Sequence, residues 1–265
     1  MRELIFVKLG GSLITDKSRP FTEKREVIKR LTREIHQFRR KGDSRILVGH
    51  GGGSYPHEPA RKYQTHKGLV NEESCRGLVE VQDAAARLNR IVVEAFINSG
   101  ENAVSVQPSA AVVSDKGEIK EWYTKPIEML LEYNLLPVVY GDIGLDLTNG
   151  CCILSTEEIF RYLSEKLRPS RVIMCGKTDG VFTSDPNRDS SAEHIPEITT
   201  ENFNIIRKHL SDSDGIDVTG GMAHKIEMAL EIAANGSVVE IINGEKPGNL
   251  KETLSGKAGL RTIIR

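Results

Sequence analysis

The sequence predicts an α/β protein, a three-layer sandwich in which helices cover both faces of a mostly parallel central sheet. Three observations carry that prediction. Short apolar runs alternate with longer amphipathic stretches, which is the pattern of consecutive strand–helix units. Glycine clusters sit just after the apolar runs, at the sheet edge where open α/β folds place their ligands. The 265 residues are enough for one large domain, or for two lobes sharing one sheet.

The elements follow in order. Leu4 to Leu9 reads as a buried strand. Glu23 to Lys41 reads as a helix, with Val27, Leu31, the Glu34–Ile35 pair and Phe38 at helical spacing and Thr22 as its N-cap. Arg45 to Val48 is the next strand, and a long helix runs from about Glu73 to Asn98. Further strands are expected at Ala103–Val106, Leu136–Tyr140, Arg171–Cys175 and Ser237–Ile242, with helices at Glu157–Leu167 and Met222–Ala234. Lys116-Gly117 and Asn149-Gly150 each sit between short strand-like runs and predict hairpins. A soft boundary near Gly150 separates an N-terminal lobe, residues 1–150, from a C-terminal lobe, residues 151–265.

Composition excludes several classes of function. Thirty-six Lys and Arg residues balance 37 Asp and Glu, for a formal net charge of −1. Bulk binding to nucleic acid or to an acidic membrane needs a basic excess that is absent here. No apolar run approaches the ~20 residues that span a bilayer. Met1 to Val7 enters a strand directly, without a signal-peptide pattern. Cys75, Cys151, Cys152 and Cys175 lack metal-type spacing, so a reduced, cytoplasmic setting is expected.

Several segments could carry chemistry. Lys8-Leu9-Gly10-Gly11-Ser12 puts a cation and two glycines at a strand end, where backbone N–H groups can approach a phosphate. Its ordinary reading is a strand-to-loop turn with a solvated lysine. Gly51-Gly52-Gly53-Ser54 follows the second strand, and a helix starting near Ser54 would place free N–H groups beside the glycines. His57, about one turn into that helix, could donate to a phosphate oxygen. His50 is read as structural, and a metal set of His50, His57 and His66 is discounted because the spacing fits no regular face. Asp217-Val218-Thr219-Gly220-Gly221 opens another helix and sets Lys225 on its first turn or so, where a bound phosphate would offset the unfavourable dipole. Gly141-Asp142 and the turn-rich stretch Thr178 to Pro186 are ambiguous on their own. Neither Gly-x-x-x-x-Gly-Lys-Ser/Thr nor a strand-linked Gly-x-Gly-x-x-Gly occurs, so a nucleotide site must be of another type.

The order of these segments resembles the amino acid kinase superfamily along essentially the whole chain. The Gly-Gly-Gly-Ser-aromatic-x-His and Asp-Val-Thr-Gly-Gly stretches resemble its isopentenyl phosphate kinases, of the archaeal-type mevalonate pathway, and the related fosfomycin kinases. The resemblance implies ATP- and Mg²⁺-dependent phosphorylation of isopentenyl phosphate to isopentenyl diphosphate, by a homodimer. It implies an acceptor site in the N-terminal lobe and an ATP site in the C-terminal lobe. By position, Lys8 and Lys225 would hold the ATP phosphates, with Gly10, Gly11, Ser12, Gly53 and Gly221 in close contact. Asp179, Phe182, Thr183 and Pro186, in the stretch reaching Asn187, would lie on the nucleotide side. Lys17 would act in the transition state, Gly52, His57 and Thr156 would bind the acceptor phosphate, and Glu157 would organise the lysines. No protein ligand for a metal is implied.

Four positions depart from the family pattern. Pro56 replaces a glycine, Thr156 and Glu157 replace the Gly-Asp of Ser-Gly-Asp, and Lys177 stands where an acidic residue is expected. These departures leave two rivals open: a kinase for a phosphonate or another small organic phosphate, and a nucleotide-binding module without turnover. An isoprenoid tail would need apolar walls, either from the helix bearing Val79, Leu88, Val92 and Phe96 or elsewhere if those residues form the core.

Overall fold

The computed structural model describes residues 2–186, 188–210, 221–257 and 259–265. The chain opens with β1 (Leu4–Leu9), the short helical turn α1 (Gly11–Ile14), α2 (Arg25–Arg39) and β2 (Arg45–His50). Next come α3 (His57–Lys62), the long α4 (Glu72–Asn98) and β3 (Ala103–Ser105). A hairpin of β4 (Val112–Asp115) and β5 (Glu118–Trp122) precedes α5 (Lys125–Glu132) and β6 (Leu136–Tyr140). A second hairpin, β7 (Asp142–Asp146) and β8 (Gly150–Leu154), leads into α6 (Thr156–Leu167) and β9 (Arg171–Gly176). The remainder holds β10 (Val181–Phe182), β11 (His194–Ile195), β12 (Glu197–Ile198) and α7 (Thr200–Leu210). It ends with α8 (Gly221–Ala234), β13 (Val238–Asn243), α9 (Asn249–Leu254) and β14 (Thr262–Ile264).

Eight strands form one sheet in the order β12-β14-β13-β9-β1-β2-β6-β3. Every neighbouring pair is parallel except β13–β14. Alternate residues of each strand face opposite helical layers. Ile5, Val7 and Leu9 of β1 pack with Leu31 and Ile35 of α2, Leu88 and Val92 of α4, and Leu250 of α9. Leu4 and Phe6 pack the other way, with Leu131 of α5, Phe160 of α6, Phe203 of α7 and Ile226 of α8. The three-layer sandwich is therefore present. Burial on both faces is why the strands read as near-continuous apolar runs. Each fully buried aliphatic or aromatic side chain contributes about 1.5–3 kcal/mol.

Both predicted hairpins form. Lys116 and Gly117 take positive φ values of 53° and 86°, the two left-handed residues of a type I′ turn. Two local expectations fail. Thr22 does not cap α2, because the helix starts at Arg25 with Lys24 at the cap position, and the Thr22 hydroxyl instead donates to the Pro20 carbonyl at 2.9 Å. The helix expected near Ser54 begins only at His57, with Pro56 as its N-cap. His57 is thus the first helical residue and not one turn in. Residues 53–56 form a turn, in which the Tyr55 amide donates to the Gly52 carbonyl. Among the described residues, no helix is long and apolar enough to cross a membrane.

Candidate active site

Parallel pairing brings the ends of β1, β2, β6, β9 and β13 to one edge of the sheet, and their loops converge there. In register, Lys8 lies opposite Gly49 on one side and Met174 on the other. The glycines after β1 and β2 interlock. A Cβ on Gly11 would lie 2.5 Å from Gly53 N, and one on Gly51 would lie 2.8 Å from Gly11 N. Thr15 ties the two loops together. Its hydroxyl donates to Gly11 O at 2.7 Å and accepts from Ser54 N at 3.0 Å. Gly53 has φ +55°, and a Cβ there would strike Thr15 Oγ1, so this position requires glycine.

A cavity of about 330 Å³ opens at this edge. Its wall includes Lys8, Gly10, Gly11, Ser12, Lys17, Gly52, Gly53, His57, Thr156, Glu157 and Lys225. Most of the predicted catalytic, phosphate-cradling and acceptor positions are therefore gathered in one place. Gly221 is the first residue of α8 and is buried, with Lys225 one turn further on and Met222 on the wall. Asp179, Phe182, Thr183 and Pro186 do not line the cavity. Asp179 pairs with Lys246 at 2.6 Å, and Phe182 packs edge-on against His194 with ring centroids 5.3 Å apart. Thr183 bonds Glu193 through its amide and its hydroxyl, and Pro186 is exposed. Asn187 and 217–220 lie outside the described residues.

Among the described residues, five cationic side chains (Lys8, Lys17, Arg61, Lys177 and Lys225) line the cavity against two carboxylates, Asp142 and Glu157. Such a surplus in a concave site favours a polyanion. Lys8 Nζ donates to Glu157 Oε1, and both side chains are buried. Burial alone would push the Glu157 carboxyl up, but Lys8 beside it and the field of Lys225 hold it below its ordinary value. Glu157 thus stays ionised and sits between two lysines. Thr156 is pinned by a 2.8 Å bond from its hydroxyl to His50 O, with Ser155 capping α6 by accepting from Glu158 N. Asp142 differs: burial pushes its carboxyl up, against the opposing bonds from Ser109 and Ile143. His50 is structural. It is buried, with its Nε2 3.2 Å from Asn89 Oδ1 and its Nδ1 3.2 Å from Gly51 O, and burial lowers its pKa to about 4. Burial raises the Cys151 and Cys152 thiols to about 11, so neither serves as a nucleophile near neutrality.

At the His57 end the wall turns apolar, with Pro56, Ala60, Val81 and Ile153. Val81 continues into a small cluster with Leu78, Ile143 and Cys151. The long helix supplies this wall through Val81, and the core reading holds for three of the four residues named on it. Leu88, Val92 and Phe96 face the sheet in the core, and Val79 is exposed. Arg61 and His66 also reach the cavity. Arg61 was legible as the i+4 neighbour of His57 on one helix face; nothing in the local pattern marks His66. No group of three or more His, Cys, Asp or Glu side chains converges as a metal site among the described residues.

Residues 3–243 match the amino acid kinase family. The isopentenyl phosphate kinase of Methanocaldococcus jannaschii is 33% identical, over 96% of this chain and 96% of its own. That of Methanothermobacter thermautotrophicus is 34% identical, again over 96% of each. An X-ray structure of an isopentenyl phosphate kinase superposes with a TM-score of 0.84 at 31% identity, covering 99% of this chain and all of that one. With its sheet order, glycine cradle and ion-paired lysine in place, the chain belongs to the amino acid kinase family.

Proposed function

We propose that this chain transfers the γ-phosphoryl group of ATP to isopentenyl phosphate, giving isopentenyl diphosphate and ADP. One observation carries the choice of acceptor: a single cavity joins a cationic, glycine-lined section to an apolar end beside His57. A phosphate fits the first and a short hydrocarbon tail the second. A small polar phosphonate would leave Ala60, Val81 and Ile153 facing nothing apolar. The likeness to isopentenyl phosphate kinases over nearly full length supports the same reading.

In this reading an oxygen of the acceptor phosphate attacks the γ-phosphorus, and the bond to the bridging oxygen of ADP breaks. The acceptor is already ionised near neutrality, so no strong base is needed; positioning and charge neutralisation dominate. His57 and Gly52 of the N-terminal half hold the acceptor phosphate together with Thr156, with Lys17 over the transferring group. Lys8 and Lys225, set by Glu157, take the ATP phosphates on the C-terminal side, with Gly10, Gly11, Ser12, Gly53 and Gly221 close to them. Asp179, Phe182, Thr183 and Pro186 flank the nucleotide from outside the cavity wall. Mg²⁺ would arrive on the ATP phosphates; among the described residues the wall carboxylates Glu157 and Asp142 are committed to Lys8 and to backbone amides. The metal supplies further neutralisation of phosphate charge.

The protein works as a homodimer in the cytoplasm in this reading. Leu69, Val70 and Leu147 gather, exposed, around the turn of the β7–β8 hairpin, which suits a face covered by a second copy. All four cysteines are unpaired, which suits a reducing compartment. The test is initial-rate ADP release with Mg²⁺-ATP and isopentenyl phosphate, dimethylallyl phosphate, fosfomycin or no acceptor, with products identified by mass. Acceptor-dependent isopentenyl diphosphate is the expected result. ATP binding with no turnover of any acceptor would instead mark a regulatory module.

A further inference from the structure

Among the described residues, one cation on the cavity wall is neither used by the proposed reaction nor held in an ion pair. Glu157 is engaged by Lys8, and Asp179, the acid nearest in sequence to Lys177, is engaged by Lys246 at 2.6 Å. Arg61 pairs with Glu58 at 3.1 Å. Lys177 lines the cavity and is exposed, and neither nearby carboxylate is available to neutralise it.

Its backbone setting says which end of the cavity it serves. The Cys175 carbonyl accepts from Gly10 N at 2.9 Å, and the Gly176 carbonyl accepts from Gly244 N at 2.9 Å. The chain therefore leaves β9 clamped between the glycine turn after β1 and the loop after β13, and Lys177 is the next residue. In the sheet β9 lies on the far side of β1 from β2, so Lys177 leaves the sheet away from the loop after β2 that leads to His57. A carboxylate at this position would repel a polyphosphate, whereas an ammonium attracts one.

Resting on the proposed ATP-dependent reaction, we infer that Lys177 is a further nucleotide-binding residue, contacting the phosphates that remain with ADP after transfer. It holds product as well as substrate and so slows ADP release.

The test measures binding directly, without turnover. ADP, AMP and isopentenyl phosphate are each titrated calorimetrically into wild type, Lys177→Met, Lys177→Glu and Lys177→Arg. The Met variant should bind ADP about five- to tenfold more weakly, the size of one partly exposed charge-assisted contact. AMP should lose less than ADP, the Glu variant should be weaker than Met, and Arg should stay near wild type. The gap between Met and wild type should shrink as salt rises. Isopentenyl phosphate affinity should hold in all three variants. Wild-type-like ADP binding by the Met variant overturns the inference. So does a loss confined to isopentenyl phosphate, which would move Lys177 to the acceptor side. Failure of the wild-type protein itself to bind ADP would instead sink the ATP-dependent reading on which the inference stands.

Discussion

Lys8 and Glu157 lie 149 positions apart, yet they meet as a buried ion pair on the cavity wall. Removing one partner leaves the other charged and unpaired in a poorly hydrated place. Glu157→Gln should therefore cost about 3 kcal/mol of stability, near the lower end for breaking a buried pair. Adding Lys8→Met should restore much of that stability and none of the turnover. Urea melts and rates on both variants check this; a double variant as unstable as the sum of the single ones would show that the pair is not coupled. The outer groups follow different logic. Lys17 is exposed and His57 half-buried, so neither is part of the packed core. Lys17→Ala or His57→Ala should lower turnover by about 10²–10³-fold, as for loss of one oxyanion-hole donor, with the melting temperature near wild type. Near-normal turnover in a folded variant would remove that residue from the mechanism.

At the scale of elements, the cradle depends on two turns approaching closer than a side chain permits. In Gly11→Ala the new Cβ would meet backbone, Gly53 N at 2.5 Å and Gly53 Cα at 2.8 Å, and backbone cannot rotate away. We expect a loss of about 1–3 kcal/mol, typical of overpacking, together with a marked fall in kcat/KM as the turns separate. Gly42→Ala is the control: nothing lies within 4 Å of its Cβ, so stability should move by no more than about 0.5 kcal/mol. Equal effects from the two substitutions would mean that the close approach is unimportant. The cradle glycines were legible because three in a row are costly unless something needs them. The start of α3 was not, because residues 53–56 are held in a turn by contacts with Thr15, Phe21 and Thr22, partners more than thirty positions away. The cap of α2 was missed for the same reason. The bridge of Glu23 to Thr15 and the bond from the Lys24 amide to the Ile14 carbonyl hold residues 23 and 24 outside the helix, and local propensity carries no record of that.

Over the whole molecule, the parallel sheet was legible because double-sided burial writes itself as apolar runs, and the glycine- and lysine-lined half of the cavity was legible because most of its parts sit just past a strand end. The apolar wall was not. Pro56, Ala60, Val81 and Ile153 come from separate segments, and which face of α4 turns toward β8 is decided by packing. Burial also couples the fold to pH through His50, which Asn89 and Gly51 enclose beneath the site. Its folded pKa of about 4 lies below the ordinary 6.5, so as pH falls the unfolded chain takes up the proton first. Stability attributable to this histidine is intact above pH 6.5 and drains away toward pH 4. The lowered carboxyl of Glu157 adds a loss only in the more acidic carboxylate range, and the raised carboxyl of Asp142 acts in the opposite sense. Between pH 7.5 and 5 the His50 contribution should be a loss of about 2 kcal/mol. His50→Gln keeps a hydrogen-bonding side chain at that position but cannot titrate. Urea unfolding of both proteins across that range should give a shallower pH slope for the variant, whatever its absolute stability. Parallel slopes would mean that His50 is protonated, or reached by water, in the folded protein, and that another group sets its response to acid.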